Sequence, residues 1–461
     1  MVEKISRSDR NFSKAYIITV DMGYGHQRAV YPLFDSAAHV EGMSMNGYGV
    51  INANNYGGIP KSDERKWSGG QGLYETISRM KHLPLIGEKI FGIMDYVQRI
   101  EPFYPHRDLS KPTMQLKQIY ALINKGWGKH LIDELNKREH LPYITSFFTT
   151  AFFADVHGYT GKIYCICTDT DVSRAWVPLD PRTSKINYLV PNRRVKERLQ
   201  LYGVVEDRIS ITGFPLPKEN IGGKNLSVLK KALGERIIHL DPEKRYRNKY
   251  THTIQEFLGS RFCTDICVPV HPLTITFAVG GAGAQRELGA TITQSLYTHL
   301  VTGQMRLNLV AGTRNDVCRY YQAILKDLGL DKKHSGVSIV YADSKFEYFK
   351  KFNEALNTTD VLWTKPSELS FYAGLGIPII MAPSVGSQEN FNKQWLEAIG
   401  AGVAQEDPQY AHEWFFDWLK SGWLASAAMQ GFLNAPRNGA YHVEEVVLKN
   451  KKSEIEDMHL L

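Results

Sequence analysis

Residues 360–396 read DVLWTKPSELSFYAGLGIPIIMAPSVGSQENFNKQWL, and this stretch decides the fold class. An apolar run at 361–363 stops at a Thr-Lys-Pro-Ser turn, a short helix is predicted next, and a second apolar run at 377–382 opens into a polar loop. This order predicts a βαβ unit with its polar groups at the carboxyl ends of two parallel strands, where open α/β sheets bind ligands. Unpaired N–H groups at the helix start favour an anion there. The polar side chains that could contact hydroxyl groups around that anion are Ser367, Glu368, Ser370, Gln388, Glu389 and Asn392. Taken alone, the stretch also fits an ordinary βαβ crossover with a polar rim.

The same stretch resembles the nucleotide-sugar half of GT-B glycosyltransferases. The resemblance is to the processive diacylglycerol glycosyltransferases and plant monogalactosyldiacylglycerol synthases, with the bacterial cell-wall lipid-intermediate N-acetylglucosaminyltransferase as a relative. In that group a T-K-x-G segment precedes a short helix and a G-x-P strand, and a G-Q-E-x-x-N segment contacts the nucleotide sugar. Thr364-Lys365, Gly376-Ile377-Pro378 and Gln388-Glu389-Asn390-Phe391-Asn392 match in that order. The resemblance implies nucleotide-sugar contacts from Thr364, Lys365, Ser367, Glu368, Gln388, Glu389 and Asn392.

One position departs from the family pattern. In the family, a glutamate nine residues after the threonine binds the ribose. Ala373 occupies that position in this sequence. Glu368, one turn earlier, is the candidate that takes over the ribose contact. The alternative is an altered nucleotide site.

The length and composition of the chain place limits on its class. Its 461 residues predict two domains. With 43% hydrophobic and 22% charged residues it has an ordinary globular composition, and no run approaches the roughly 18 apolar residues of a membrane span. The polar start lacks an apolar signal core, so we expect a cytoplasmic protein. The spacing of the five cysteines predicts neither a zinc site nor a disulfide framework.

The net charge of +7 favours contact with phosphates or an anionic membrane surface. Nucleic acid is the weaker option, because the sequence contains no helix-turn-helix, RNP-like or zinc-finger pattern. We therefore expect no nucleic-acid partner.

The first domain opens with a strand pattern at 15–20, a glycine turn and a helix. Gly23-Tyr24-Gly25-His26 and Ala29 match the G-x-G-H-x-x-A segment of the same glycosyltransferases, whose histidine faces the cleft between acceptor and donor. The resemblance implies that His26 is a candidate base and that Gly23 and Gly25 contact the acceptor. On its own, a histidine in a turn is more often a structural group.

Two further strands are predicted at 143–153 and 162–167, and the second runs into T-D-T-D-V-S-R-A-W at 168–176. The family has T-D-x-x-x-H-x-x-W on the acceptor side at this place, so the resemblance makes Asp169 the second candidate base. Ser173 replaces the family histidine, whose role is then absent or taken by Asp171 or Arg174. The implied acceptor contacts are Asp171, Arg174 and Trp176, and the identity of the acceptor stays open.

The second domain begins with a predicted strand at 273–279, followed by a glycine-rich turn. Glycines at such a corner let the backbone approach a diphosphate, which sits on the amino terminus of the following helix. A glycine-rich turn alone is weak evidence, but its place upstream of the two matching segments is specific. With the strand and turn at 307–315, the resemblance adds as candidate nucleotide contacts Gly280, Gly281, Gly283, Ala284, Gly312, Arg314 and Asn315.

Two segments have no counterpart in the family pattern. Within the insertion at about 42–110, residues 73–100 alternate large apolar side chains with arginine and lysine. They form either core packing or a basic amphipathic face that rests on lipid headgroups. The basic-aromatic residues 244–250 are interpreted as a solvated loop rather than a phosphate patch.

These motifs predict the α/β class: a GT-B architecture of two Rossmann-like, doubly wound domains that face a central cleft. The predicted division is an acceptor domain at 1–217, a linker region at 218–271, a nucleotide-sugar domain at 272–410, and helices at 411–461 that brace the first domain.

The function implied by the resemblance is transfer of a sugar from a UDP-sugar to an acceptor, expected to be a membrane lipid such as diacylglycerol. The protein would then work in the cytoplasm as a peripheral protein on the inner face of the membrane. No metal or cofactor is expected, because helix dipoles and backbone donors hold the leaving diphosphate, and the second domain has no D-x-D pattern. The alternatives are a non-catalytic nucleotide-sugar or lipid binding protein on the same fold, and a UDP-sugar epimerase.

Overall fold

The computed structural model describes residues 12–45, 47–69, 100–263, 269–278, 283, 285–331, 336–384 and 386–451. The chain divides into two compact units. The first comprises Met1–Pro215, Gly386–Phe391 and Asn438–Leu461, and the second comprises Leu216–Val385 and Asn392–Arg437. Each unit contains one six-stranded sheet. The α/β class and the two Rossmann-like domains predicted from the sequence are confirmed.

The first sheet has the strand order β2-β1-β3-β4-β5-β6, and every neighbouring pair is parallel. Its strands consist almost entirely of buried residues, as expected when helices cover both faces of a parallel sheet. The strands are β1 Tyr16–Thr19, β2 Val50–Asn52, β3 Tyr143–Thr145, β4 Ile163–Ile166, β5 Ile186–Val190 and β6 Ile209–Ile211. The helices that follow them include α1 Gly25–Val30, α2 Met114–Asn124, α3 Lys129–Asn136, α4 Phe148–Val156 and α5 Arg193–Leu201.

Two predictions for this unit are corrected. The strand predicted at 143–153 ends at Thr145, and α4 takes up the rest of that segment. Because α4 is buried over most of its length, its sequence lacks the polar face that would have indicated a helix. The insertion at about 42–110, for which no strand was predicted, supplies β2, the edge strand of the sheet. Most of the basic amphipathic segment at 73–100 lies outside the described residues.

The second sheet has the order β12-β11-β10-β7-β8-β9 and is also parallel throughout. Its strands are β7 Leu273–Ala278, β8 Met305–Gly312, β9 Val337–Tyr341, β10 Val361–Thr364, β11 Ile379–Met381 and β12 Gly402–Ala404. Helices before the sheet are α6 Lys218–Ile221, α7 Ser227–Leu240, α8 Arg245–Lys249 and α9 Thr251–Leu258. Helices between and after its strands are α10 Arg286–Ser295, α11 Tyr297–Val301, α12 Asn315–Asp327, α13 Lys345–Leu356, α14 Ser387–Ala398, α15 Ala411–Lys420 and α16 Trp423–Asn434. A last helix, α17 Gly439–Leu448, belongs to the first unit.

The segment at 218–271 belongs to the second unit and is largely helical. The interpretation of 244–250 as a solvated loop is wrong, because residues Arg245–Lys249 form α8. Arg247 is buried there, with its Nε 3.6 Å from the Asp241 carboxylate. Asp241 lies before the segment at 244–250, so the charge pattern of that segment alone does not indicate the ion pair.

The boundary between the units falls at Pro215 and Leu216, two residues from the predicted position. The carboxyl-terminal segment at 411–461 is shared between the units, since α15 and α16 belong to the second and α17 to the first. In the described parts of the chain, no helix is both long and apolar enough to cross a bilayer.

Candidate functional site

The carboxyl edge of the second sheet brings together several predicted nucleotide contacts. Because its strands are parallel, the loops after β7, β8, β10 and β11 all emerge at this edge. Gly312 ends β8 and Thr364 ends β10, while Gly283 lies in the turn after β7. Gly283 and Gly312 have φ values of 69° and 66°, in the left-handed region that favours glycine. Gly280, Gly281 and Ala284 lie outside the described residues.

Gly283, which follows β7, lies against the start of α12. A Cβ atom added at Gly283 would lie 3.0 Å from the Val317 side chain and 3.7 Å from Nε of Arg314. A side chain at this position would therefore crowd Val317, and its Cβ would be in van der Waals contact with the guanidinium. Two candidate nucleotide contacts, Gly283 and Arg314, are thus adjacent in space. Asn315, the first residue of α12, is exposed.

Two guanidinium groups share one carboxylate beside this turn. Arg314 donates two hydrogen bonds to Asp316, with distances of 2.9 Å from Nε and 3.1 Å from Nη2. These bonds lower the pKa of the Asp316 carboxyl. Nη1 of Arg286 lies 3.7 Å from the same carboxylate. Arg286 also donates from Nε to the exposed Glu287 carboxylate at 3.1 Å, so two guanidinium groups and two carboxylates form one ion-pair network at this edge. Arg286 was not among the sequence candidates, although its place as the first helical residue after the glycine turn could have indicated it.

Buried hydrogen bonds hold the Thr-Lys-Pro-Ser turn in place. The Thr364 hydroxyl donates to the Ala278 carbonyl at 3.1 Å, which joins the ends of β10 and β7. The Asn392 side-chain amide donates to the Pro366 carbonyl at 3.2 Å. Thr364 and Asn392 are both buried, so they fix the backbone of the turn. Lys365 and Ser367 are only half-buried and remain accessible to a ligand.

Glu368 and Ala373 lie at different depths in the helix after the turn. This predicted helix is a 3-10 helix, Glu368–Leu375. Ala373 is fully buried, and a Cβ atom added at Gly431 of α16 would lie only 2.4 Å from its carbonyl oxygen. Close packing against α16 therefore prevents this position from presenting a ligand group. Glu368 is half-buried at the first position of the helix, at the carboxyl edge of the sheet.

Gln388 and Glu389 lie in the first turn of α14. Gln388 is half-buried, whereas Glu389 is buried. By its contacts, their segment Gly386–Phe391 belongs to the first unit. Gln388 and Glu389 are therefore assigned to a different compact unit from Arg314 and Thr364.

In the first unit, His26 is held at the start of α1 by residues that follow β3. Its Nδ1 lies 2.7 Å from the Ser146 carbonyl oxygen, and the Ser146 hydroxyl donates to the His26 carbonyl at 2.6 Å. A carbonyl oxygen only accepts, so Nδ1 carries the proton and Nε2 has the basic lone pair. The ring packs edge-on against Phe147 and lies 6.4 Å from the Trp176 ring, centre to centre. The preceding Gly23 has a φ of 70° and Gly25 is the first residue of the helix.

The candidates after β4 separate into two groups. Asp169 is half-buried just beyond the strand, at the same carboxyl edge as His26. Asp171 is buried, and its two oxygens accept hydrogen bonds from Nε and Nη2 of Arg198 at 2.9 and 2.8 Å. Burial raises the pKa of the Asp171 carboxyl, and the bonds from Arg198 oppose that rise.

Arg174 is also buried, and its guanidinium donates to three backbone carbonyls, those of Ser110, Val177 and Pro178. The expectation that Asp171 and Arg174 contact an acceptor is therefore corrected, because their polar atoms are committed to the interior. Trp176 is mostly buried and packs between Phe148 and His26.

Comparisons with known proteins do not assign the chain to a characterised family. A family model described as "Domain of unknown function (DUF6938)" matches residues 268–442. No curated protein matches the sequence. The chain is similar in structure to MurG of Acinetobacter baumannii, with a TM-score of 0.44, 11% identity, and coverage of 95% of this chain and 99% of that chain. It is also similar to S. aureus MnaA in a co-structure with UDP, with a TM-score of 0.45, 10% identity, and coverage of 96% and 99%. A putative UDP-N-acetylglucosamine 2-epimerase from Listeria monocytogenes gives a TM-score of 0.45, 10% identity, and coverage of 96% and 98%.

The buried ion pair predicts a large difference in stability between two variants. Asp171→Ala leaves the buried Arg198 guanidinium without its carboxylate, which should cost about 3–5 kcal/mol in the free energy of unfolding. Glu197→Ala breaks the exposed pair in which Arg193 Nε lies 2.9 Å from Glu197, and it should cost less than about 1 kcal/mol. Urea denaturation of the full chain measures both. Equal costs would contradict a structural role for Asp171.

Proposed function

We propose that the chain transfers a sugar from a UDP-sugar to an acceptor, as a GT-B glycosyltransferase. One observation carries the proposal: the carboxyl edge of the second sheet places Gly283 beside Arg314, with Arg286 and Asp316 close by. A glycine backbone next to two guanidinium groups suits a diphosphate. The position of this cluster, after the first and second strands of the domain, is the one that the resembled family uses for the nucleotide.

The proposed donor site works without a divalent ion. The guanidinium groups of Arg286 and Arg314 would bind the diphosphate and stabilise the charge that develops on the leaving UDP. Lys365 and Ser367 are accessible on the neighbouring turn and would contact the sugar or the phosphate. Glu368 would accept hydrogen bonds from the ribose hydroxyls, the role that the buried Ala373 cannot perform.

The proposed base is His26. Its Nδ1 is committed to the Ser146 carbonyl, so Nε2 is the nitrogen that would accept the proton of the acceptor hydroxyl. Asp169, at the same edge of the first sheet, is the second candidate. The stereochemical outcome is left open by these residues.

The proposed acceptor is a membrane lipid such as diacylglycerol, reached by a peripheral protein on the inner face of the membrane. The resemblance to lipid glycosyltransferases supports this proposal, together with the net charge of +7. The basic and apolar sequence at 73–100 supports it as well.

UDP should bind to the full chain without added magnesium. Arg314→Ala removes a charged donor from the proposed diphosphate site and should weaken UDP binding roughly 10- to 100-fold, the equivalent of about 1.5–3 kcal/mol. Arg306→Ala is the matched control, because Arg306 is exposed near the opposite end of the same strand, β8. Isothermal titration calorimetry with and without EDTA measures these affinities.

Binding of UDP that requires a divalent ion would contradict the metal-free site. The assignment of Arg314 would be overturned if both arginine variants bound UDP as tightly as the unmodified protein.

Glu368 should account for recognition of the ribose. Glu368→Ala should weaken binding of UDP by about 1.5–3 kcal/mol, whereas Glu354→Ala, an exposed change on α13, should not. The affinity for 2′,3′-dideoxy-UDP should be the same in unmodified protein and Glu368→Ala, because this ligand lacks the hydroxyls that Glu368 would bind. A variant that binds UDP normally, or that loses affinity equally for both ligands, would show that Glu368 does not contact the ribose.

A further inference from the structure

A buried cluster of His239, His271 and Asp360 lies at the amino edge of the second sheet, opposite the edge with the proposed donor site. His239 is in the last turn of α7, His271 comes two residues before β7, and Asp360 directly precedes β10. One nitrogen or oxygen atom from each of the three residues lies within 4.8 Å of the other two. The fold thus brings together three metal-binding side chain types from distant parts of the sequence.

The separations within the cluster are close to those of a metal site. Nδ1 of His239 lies 2.9 and 3.0 Å from the two Asp360 oxygens. Nδ1 of His271 lies 3.9 Å from Oδ2 of Asp360 and 2.9 Å from the Pro272 carbonyl oxygen, so binding an ion through Nδ1 would replace that hydrogen bond. Two donors on one tetrahedral zinc ion, with bonds of about 2.0–2.1 Å, are about 3.3 Å apart. The observed distances lie on both sides of that value. His271 is the least buried of the three and lies in a loop, so its ring is the one that would move inward.

A metal ion between His239 and Asp360 would replace the hydrogen bonds between these two side chains and leave the bond from Thr274 to Asp360 in place. The backbone N–H of Thr274 donates to Oδ2 of Asp360 at 2.8 Å, which orients the carboxylate as outer-shell donors do in metal sites. Within the described chain, Nε2 of His239 is buried and makes no hydrogen bond. When Nδ1 binds an ion, the ring proton can therefore move to Nε2 with no loss of an existing bond at that nitrogen.

Arg236 is the nearby charge that opposes a cation. Its guanidinium donates to the carbonyls of Thr359, Leu375 and Gly376 at 2.8–3.0 Å, and these dipoles offset part of its charge. Burial lowers the pKa of Arg236 to about 10. The remaining positive charge predicts weaker binding than at a zinc site built from thiolates.

We propose that His239, His271 and Asp360 bind a divalent transition-metal ion that joins α7 to the amino ends of β7 and β10. Two imidazoles and one carboxylate suit Zn²⁺, whereas Mg²⁺ prefers oxygen ligands alone. The ion would have a structural role and would take no part in the proposed sugar transfer. Because ligand imidazoles must be neutral, its affinity should fall as the pH is lowered.

The test uses the full chain, stripped with a chelator and titrated with ZnCl₂. Calorimetry should show a saturable zinc site that His271→Asn removes, and zinc should raise the Tm, while MgCl₂ at the same concentration should do neither. UDP affinity should be the same before and after stripping, which separates this test from that of the donor site. Absence of saturable zinc binding would overturn the proposal.

Variants assign the site to the cluster. His271→Asn changes the least buried ligand, so the metal-free variant should keep its Tm and lose the rise that zinc produces. His252→Asn is the control, because the His252 side chain is 92% exposed on α9 and should contribute nothing. Asp360→Asn should also lose the zinc effect, but it changes core hydrogen bonds, so His271→Asn is decisive. A zinc effect that survives His271→Asn would belong to another site, such as the thiols of the chain, and would overturn the proposal.

Discussion

The parallel pairing of β10 between β7 and β11 is the constraint on which the second unit depends. The pairing aligns Thr364 with Ala278 on one side and with Met381 on the other, so the loops after three strands begin side by side. At the other end of the same strand, Asp360 is hydrogen-bonded to the backbone of Thr274 in both directions. One short strand therefore positions the proposed donor site at its carboxyl end and the proposed metal cluster at its amino end.

The pattern of apolar runs and glycine turns predicted the two-sheet architecture, because buried parallel strands are short, continuous and apolar. It failed where burial removes the usual pattern. In α4 the apolar side chains surround the helix, so a helix resembles a strand in sequence. In β2 a strand of three residues sits among glycines, and only its pairing with β1 identifies it.

The candidate site was predictable only where its residues are close in sequence. The turn at Thr364 and the start of α12 at Arg314 follow directly from strand ends, and the structure places both at one edge. The partners of Asp171 and Arg174 could not be predicted, because Arg198 and Ser110 reach them from distant segments. The same reason hides the cluster of His239, His271 and Asp360, in which successive members are 32 or more residues apart.

In the proposed reaction, the two units have different roles. The second unit would bind the donor through the guanidinium groups of Arg286 and Arg314, and the first would supply a histidine whose tautomer is set by a backbone carbonyl. The guanidinium groups are already oriented before the donor binds, because Asp316 accepts hydrogen bonds from Arg314 and Glu287 accepts one from Arg286.

The most direct test is incubation of the full chain with a panel of UDP-sugars, with and without lipid extract, scored by UDP release and by the mass of the product. We predict that one UDP-sugar yields UDP and a glycosylated lipid when lipid is present, and that His26→Ala abolishes turnover while UDP still binds. UDP binding with no turnover of any UDP-sugar would contradict glycosyl transfer and favour a nucleotide-sugar binding protein. Conversion of one UDP-sugar to another without UDP release would identify an epimerase instead.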